Sequence, residues 1–371
     1  MHPFNFPQPE LDETLHSLLI RAHRLSGFSN FRTFTEAILG RPSDGRGWSW
    51  RYKKVGRYLD SCKITAWAIL QGTLLLPYLM PFMSPEAARL GQNRLDGGHR
   101  TGDDGVLPAW HINNSRPLRY CPLCARQQQK RLGISVWLRS HQLDGVNVCW
   151  RHAVSLVDVT QHRISPLLPH EFPNQTIRYE FNKFDLWLAK QTRVLLQTSH
   201  GPTSSEIIKT TYRAQAARLG YKKTPSIDYF LIASHLLKRF DRRFIERIFG
   251  SSDIERVTKM VHRTITASTI GIRPTNHILC IEVLFGEQHN FFLAIRKHTD
   301  KDSVEEKKTP EDQRNQLATT LIHKKIFLEV LATHRREVMS ELNRNFPLTH
   351  QWIVTHALHW SRRRLSNASL N

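Results

Sequence analysis

The stretch Arg119 to Leu156, RYCPLCARQQQKRLGISVWLRSHQLDGVNVCWRHAVSL, decides how the rest of the chain is read. Cys121 and Cys124 form a C-P-x-C pair, and Cys149 and His152 form a C-x-x-H pair. Two residues between ligands let both side chains of a pair reach one ion without backbone strain, while turn N–H groups are free to bond the thiolates. Pro122 stiffens the first turn. The 24 residues between Cys124 and Cys149 exceed the usual finger spacing and leave room for a small hairpin. Ordinary buried thiols or a disulfide are the alternatives. Three of five cysteines falling into two tight pairs, completed by a histidine, favour a metal, with zinc the expected ion at one per chain. Such a set fills a tetrahedron and leaves no position open to water. It therefore reads as structural, not catalytic.

Around this stretch the composition describes a globular, polyanion-binding protein. Of 371 residues, 40% are apolar, enough for a sizeable core in two or three domains. Lys plus Arg number 53 against 32 Asp plus Glu, a net +21, so the surface carries a strong positive potential and nucleic acid is the natural partner. Five cysteines and no hydrophobic leader behind Met1 suggest a reducing cytoplasm. Ile64 to Met83 has no charged residue and the length of a membrane span, but Gln71, Gly72 and Thr73 interrupt it and Pro77 and Pro81 break its second half. It is expected to form two short buried helices, with no membrane involved.

At the N-terminus, an extended proline-rich opening leads to Asp12, which can cap a helix burying Leu15, Leu18, Leu19, Ala22 and Leu25. Gly27 ends it and Phe31 to Leu39 supplies a second helix, a pattern compatible with a helix-turn-helix core. The loop Arg41 to Arg57 interleaves Trp48 and Trp50 with basic residues, so Arg51, Lys53 and Lys54 are candidate nucleic-acid contacts. Gly91 to Gly105 reads as a linker. After the metal region come a helix from Glu206 to Leu219, a Gly220-Tyr221-Lys-Lys turn and a helical stretch from Asp228 to Phe249. The core of that stretch is Leu231, Leu236, Leu237, Phe240, Phe244, Ile248 and Phe249. Another helix, opened by Pro274 and closed by Gly286, carries His277 as a hydrogen-bonded packing residue. Thr299 to Asp312 is charge-dense and reads as an exposed loop or hinge.

The terminal module is expected to form three helices: around Leu317 to Leu331, from His334 to Asn345, and from Leu348 to Trp360. On the last, Ile353, Ala357 and Trp360 share an inner side and Gln351, Thr355 and Arg362 share the other. Gln351 and Thr355 are thereby placed to meet base edges, and Arg362, Arg363 and Arg364 to meet phosphates.

The segment from Trp137 to Leu156, with His141, Gln142, Gly145, Cys149 and His152, resembles the zinc-binding region of the TniQ/TnsD family. These are target-selection proteins of transposons, CRISPR-associated transposons included, that use a separate AAA+ regulator and transposase. Ala153 stands where the family often has Gly. Pro9, Glu13, Thr14, Leu15, Ser17, Leu18 and Arg21 resemble the family's opening, with Arg21 a phosphate or partner contact or else a solvated arginine. Gly220, Tyr221, Phe240, Phe244 and Phe249 resemble its glycine-tyrosine turn and Phe-rich helical pair. Arg273 to Gly286 resembles its H-P-x-x-H-L-L-L-I-x-x-L-F-G segment, with Arg273 and Cys280 departing from it. Trp352, His356 and Trp360 sit at matching places of its terminal segment, where His350 replaces a Tyr.

The resemblance implies a bacterial cytoplasmic protein that engages target DNA, or docks as a homodimer on a Cascade-type RNA-guided complex, and recruits the AAA+ transposition regulator. A zinc-dependent helix-turn-helix transcription regulator is the alternative. No G-x4-G-K-[S/T] loop, H-E-x-x-H pair or G-x-S-x-G elbow is present, so no enzyme is expected. The expected fold is mainly α, with helix-turn-helix-type modules at both ends flanking a small ribbon-like Cys3His module. The expected domains are residues 1–105, 106–165, 166–298 and 313–371.

Overall fold

The first helix begins two residues later than a cap at Asp12 implies. In the computed structural model, α1 spans Leu15–Ser26, and Thr14 caps it by accepting a hydrogen bond from the Ser17 N–H at 3.2 Å. Asp12 instead adopts a left-handed conformation (φ 64°), and its carboxylate accepts from the Ser140 hydroxyl at 2.5 Å. The capping role passes to Thr14 because Asp12 is already tied to the metal region. The Arg139 N–H donates to the Asp12 carbonyl and the Thr14 N–H to the Trp137 carbonyl. Leu15, Leu18, Leu19 and Ala22 are buried as expected, whereas Leu25 is 61% exposed at the end of the helix. Gly27 closes α1 at φ 74°, where a side chain would be strained, and α2 follows over Phe31–Leu39.

The structure describes residues 6–39, 72–89, 117–159, 166–173, 176–198, 200–223, 226–266 and 272–303. Outside them lie the basic loop with Arg51, Lys53 and Lys54, Cys62, the first part of the apolar run and the Gly91–Gly105 linker. Most of the charged Thr299–Asp312 segment and the terminal module, with Gln351, Thr355 and Arg362 to Arg364, also lie outside them. Within the apolar run, Leu76–Leu79 forms a short helix, α3, continued by a 3-10 turn over Met80–Phe82. Among the described residues no single helix is long and apolar enough to cross a membrane.

The metal region contains two short antiparallel strands, β1 (Leu118–Tyr120) and β2 (Val157–Val159), paired Leu118 to Val159 and Tyr120 to Val157. The 24 residues between the ligand pairs make no hairpin. They form α4 (Pro122–Leu132), an extended stretch and the single turn α5 (Arg139–Gln142). Pro122 occupies the first helical position, and Ala-Arg-Gln-Gln-Gln-Lys-Arg behind it favours a helix and lacks the β-branched residues a hairpin would use. The paired strands instead bracket the ligand stretch from outside.

The remaining elements are helical apart from one hairpin. Among the described residues they are a 3-10 turn over Pro169–Glu171, α6 (Lys183–Gln197), α7 (Ser205–Arg218), β3 (Lys222–Lys223) paired with β4 (Ser226–Ile227), α8 (Tyr229–Arg239), α9 (Arg242–Phe249), α10 (Ile254–Thr266), α11 (Pro274–Phe285) and α12 (Gln288–Ser303). The expected Asp228–Phe249 stretch is two helices. Phe240 turns extended, and the Asp241 carboxylate accepts from the Phe244 N–H at 2.7 Å to start α9. Leu231 is then partly exposed at 38%, on the outer side of α8. α11 is buried along nearly its whole length, from Pro274 through Ile281 and again at Leu284 and Phe285. It is the centre against which α6, α7, α8 and α10 pack.

One apolar cluster runs through this part of the chain and takes in residues from Phe6 to Ile295, including Leu143 and Val146 of the metal region. Residues 1–299 form one compact unit, and residues 300–371 a second, of which the end of α12 is the described part. The described fold is mainly α.

Candidate metal centre

Cys121 is the N-cap of α4, and its sulfur accepts the Cys124 N–H at 3.4 Å. A thiolate there meets both an unsatisfied helix N–H and the positive end of the helix dipole. One turn on, Cys124 points to the same spot. The second pair sits on a tight reversal in which the Cys149 N–H donates to the Val154 carbonyl at 2.8 Å and the Ala153 N–H to the Cys149 carbonyl at 2.9 Å. Ala153 itself adopts φ 50°, a left-handed conformation that glycine takes without strain and alanine does not.

The four ligand atoms of Cys121, Cys124, Cys149 and His152 lie within 4.8 Å of one another. The Cys124 and Cys149 sulfurs are 3.7 Å apart, and His152 Nδ1 is 3.4, 3.3 and 3.7 Å from the sulfurs of Cys121, Cys124 and Cys149. A tetrahedral ion with metal–sulfur bonds of about 2.3 Å and a metal–nitrogen bond of about 2.0–2.1 Å sets edges of roughly 3.8 and 3.6 Å. These four edges lie close to those values, so the residues fit a metal ion. A disulfide, with sulfurs about 2.05 Å apart, does not fit 3.7 Å.

The electrostatics carry the same message. Hydrogen bonds with Cys121 and Cys149, then burial, push the Cys124 thiol up, while bonds from Cys121 and Cys124 hold Cys149 toward the thiolate. Three buried sulfurs sharing protons are in conflict, and a cation at the centre resolves it by taking all three as thiolates. Cys280, buried on α11 and apart from the cluster, is simply pushed up to about 12 by burial.

The supporting residues explain much of the surrounding sequence. Gln142 donates to the carbonyls of Arg119 (2.7 Å) and Leu138 (2.9 Å) and accepts the Arg119 N–H at 3.0 Å, fixing β1 to α5. Trp137 is buried and donates its indole N–H to the Leu167 carbonyl at 2.9 Å. His141 is buried beside Cys149. Gly145, at φ 75°, lies where an added Cβ would fall 2.9 Å from Ile248 Cδ1 and 3.1 Å from Leu188 Cδ2. A side chain there would be strained by the positive φ and would push the ends of Ile248 and Leu188 aside.

Neighbouring arginines clamp this loop. Arg119 donates to the Leu143 carbonyl at 2.8 Å and to that of Val146, and Arg247 of α9 donates to the Gly145 carbonyl at 2.7 Å and pairs with Asp185. Arg273 pairs with the buried Asp144 at 3.4 Å, and Thr275 donates to the Asp144 carbonyl at 3.3 Å. On the ligand loop itself, Trp150 lies under the Arg193 guanidinium of α6 at 3.4 Å. The metal region is thus fixed to α6, α9 and α11 by contacts far apart in sequence, which residue spacing does not reveal. Arg21 is likewise taken up internally: it binds Glu13 at 2.6 Å and is only 15% exposed. Burial pushes Glu13 up to about 7 against the opposing pull of Arg21.

His277 sits on α11 as a packing residue. It stacks on Phe82 at 4.2 Å and meets the Tyr212 hydroxyl at 3.1 Å through Nδ1, and burial lowers it to about 3.

Fold and site together define a mainly helical protein with a Cys3His centre that can hold a metal ion. Residues 4–156, which end just beyond the last ligand, match the TniQ family model, so this part of the chain is similar to a TniQ domain. No curated protein matches the chain.

Proposed function

We propose that this protein selects target sites for DNA transposition without chemistry of its own. In this reading it engages target DNA, directly or through an RNA-guided complex, and recruits the AAA+ regulator that commits the transposase. The match of residues 4–156 to the TniQ family carries the proposal, and the net charge of +21 supports a polyanionic partner. Zinc is the proposed ion, because three thiolates and an imidazole at tetrahedral spacing suit it. A site whose four positions are all filled by protein serves folding, not hydrolysis. The α1–Gly27–α2 pair serves, in the same proposal, as a helix-turn-helix-type unit.

The test is retention of the purified AAA+ regulator on immobilised target duplex. One arm contains the protein alone, one adds the RNA-guided complex, and one lacks the protein. Retention that depends on the protein in either of the first two arms is the expected result, and the arm that works identifies the mode of targeting. Equal retention with and without the protein in both settings would overturn the proposal.

A further inference from the structure

The helix that starts at the metal centre has an outer face that the metal does not use. On α4, Cys121, Pro122, Cys124 and Ala125 are buried, and the Gln128 side chain turns inward to accept the Val136 N–H at 3.0 Å. What remains exposed is Arg126, Gln127, Gln129 and Lys130, with Arg131 engaged to Glu10 at 3.5 Å. The helix contains no acidic residue. Arg126 and Lys130, one turn apart, form no ion pair among the described residues.

We propose that this face of α4 is a contact surface for duplex DNA, with Arg126 and Lys130 at its centre meeting phosphates and Gln127 and Gln129 flanking them on either side. It rests on the reading of the protein as one that engages target DNA. Three physical features favour DNA over a protein partner. The face is cationic without a compensating carboxylate, as a phosphate-binding surface requires. It offers no aromatic or aliphatic anchor, which the centre of a protein interface needs. Its exposed side chains are also of the types that bond guanine and adenine edges bidentately in a major groove. At 11 residues α4 is about 16 Å long, and a metal-fixed helix of this kind is rigid enough to enter a groove about 12 Å wide.

The experiment compares the full-length protein with R126Q/K130Q, using fluorescence anisotropy on a random-sequence duplex across a salt series. Metal content and melting temperature are measured alongside, so that a misfolded variant is replaced by the milder single change K130Q. Losing two phosphate contacts should reduce the salt slope by about 1.8 units, which converts to roughly 60-fold weaker binding at about 0.1 M salt. An unchanged affinity and slope in a variant that keeps its metal would overturn the α4 surface while leaving DNA targeting intact. Failure of the unaltered protein to bind duplex at all would overturn the α4 surface and leave targeting through an RNA-guided complex as the only mode of the proposed function. If the substitutions spare DNA binding but abolish retention of the AAA+ regulator, the face belongs to a protein partner and the proposal fails.

Discussion

The metal region and the helical layer behind it are held together by different means. Around the centre, one apolar cluster consists of Cys121, Cys124, Val136, Leu138, Cys149 and Val154, so half of its buried members are ligands. Around α11 the core is built from Tyr212, Phe244, Phe291, Ile278, Leu279 and dozens of similar side chains, and ionic contacts sit at its margins. In the proposed reading a bound ion adds to the little that burial supplies around the ligands, while Tyr120, Trp137 and Leu168 pack the other side of the region. The helical layer is held by packing among its described residues. The difference shows that one chain can divide its stability between coordination and packing and still behave as one unit, because the Leu143–Asn147 loop belongs to both.

The sharpest way to break the comparison is to remove the metal. Structural zinc supplies about 10–16 kcal/mol in small modules, as much as a whole domain's stability of about 5–15 kcal/mol. Cys149→Ser should therefore unfold residues 117–159, seen as fast hydrogen exchange there and loss of solubility, with slower exchange surviving in α11. Exchange protection in the metal region of the variant equal to that of the unaltered protein would remove the distinction.

The converse change is Leu279→Ala, which empties a fully buried position on α11. A cost of about 2–5 kcal/mol is expected, read as a lower melting temperature at unchanged metal content.

Acid should act on the helical layer through His277. Its folded value of about 3 lies below the usual 6.5, so the unfolded chain takes up the proton first. The stability due to neutral His277 is complete above pH 6.5 and declines as pH falls toward 3, by roughly 3 kcal/mol near pH 4. The gap in stability between the protein and His277→Asn should narrow over that interval. A constant gap would show that His277 is not the group responsible, since acid loss of the metal affects both proteins alike.

The smallest effect is expected at Ala153, whose left-handed backbone costs about 1–2 kcal/mol relative to glycine. Ala153→Gly should raise the melting temperature of the metal region by a few degrees and leave the ligands in place.

Local features of this architecture were legible from sequence. The ligand spacing named the four residues that converge, Gly27 and Gly286 marked helix ends, and α2 runs from Phe31 to Leu39 as its pattern implies. Errors arose where distant parts of the chain compete for a residue. Asp12 looked like a cap but is engaged by Ser140, and Arg21 looked solvated or ligand-facing but is held by Glu13. α4 was hidden because a C-P-x-C pair reads as a turn, although its cysteine and proline also satisfy a helix start. The role of Gly145 required Ile248 and Leu188, more than forty residues away, to be in place first.

The central claim, that a protein-filled four-ligand metal site holds this region together, is tested most directly by elemental analysis of full-length protein purified without added metal. One zinc per chain is expected, falling below one in Cys149→Ser. A well-folded chain carrying no metal, with residues 117–159 still protected from exchange, would contradict it.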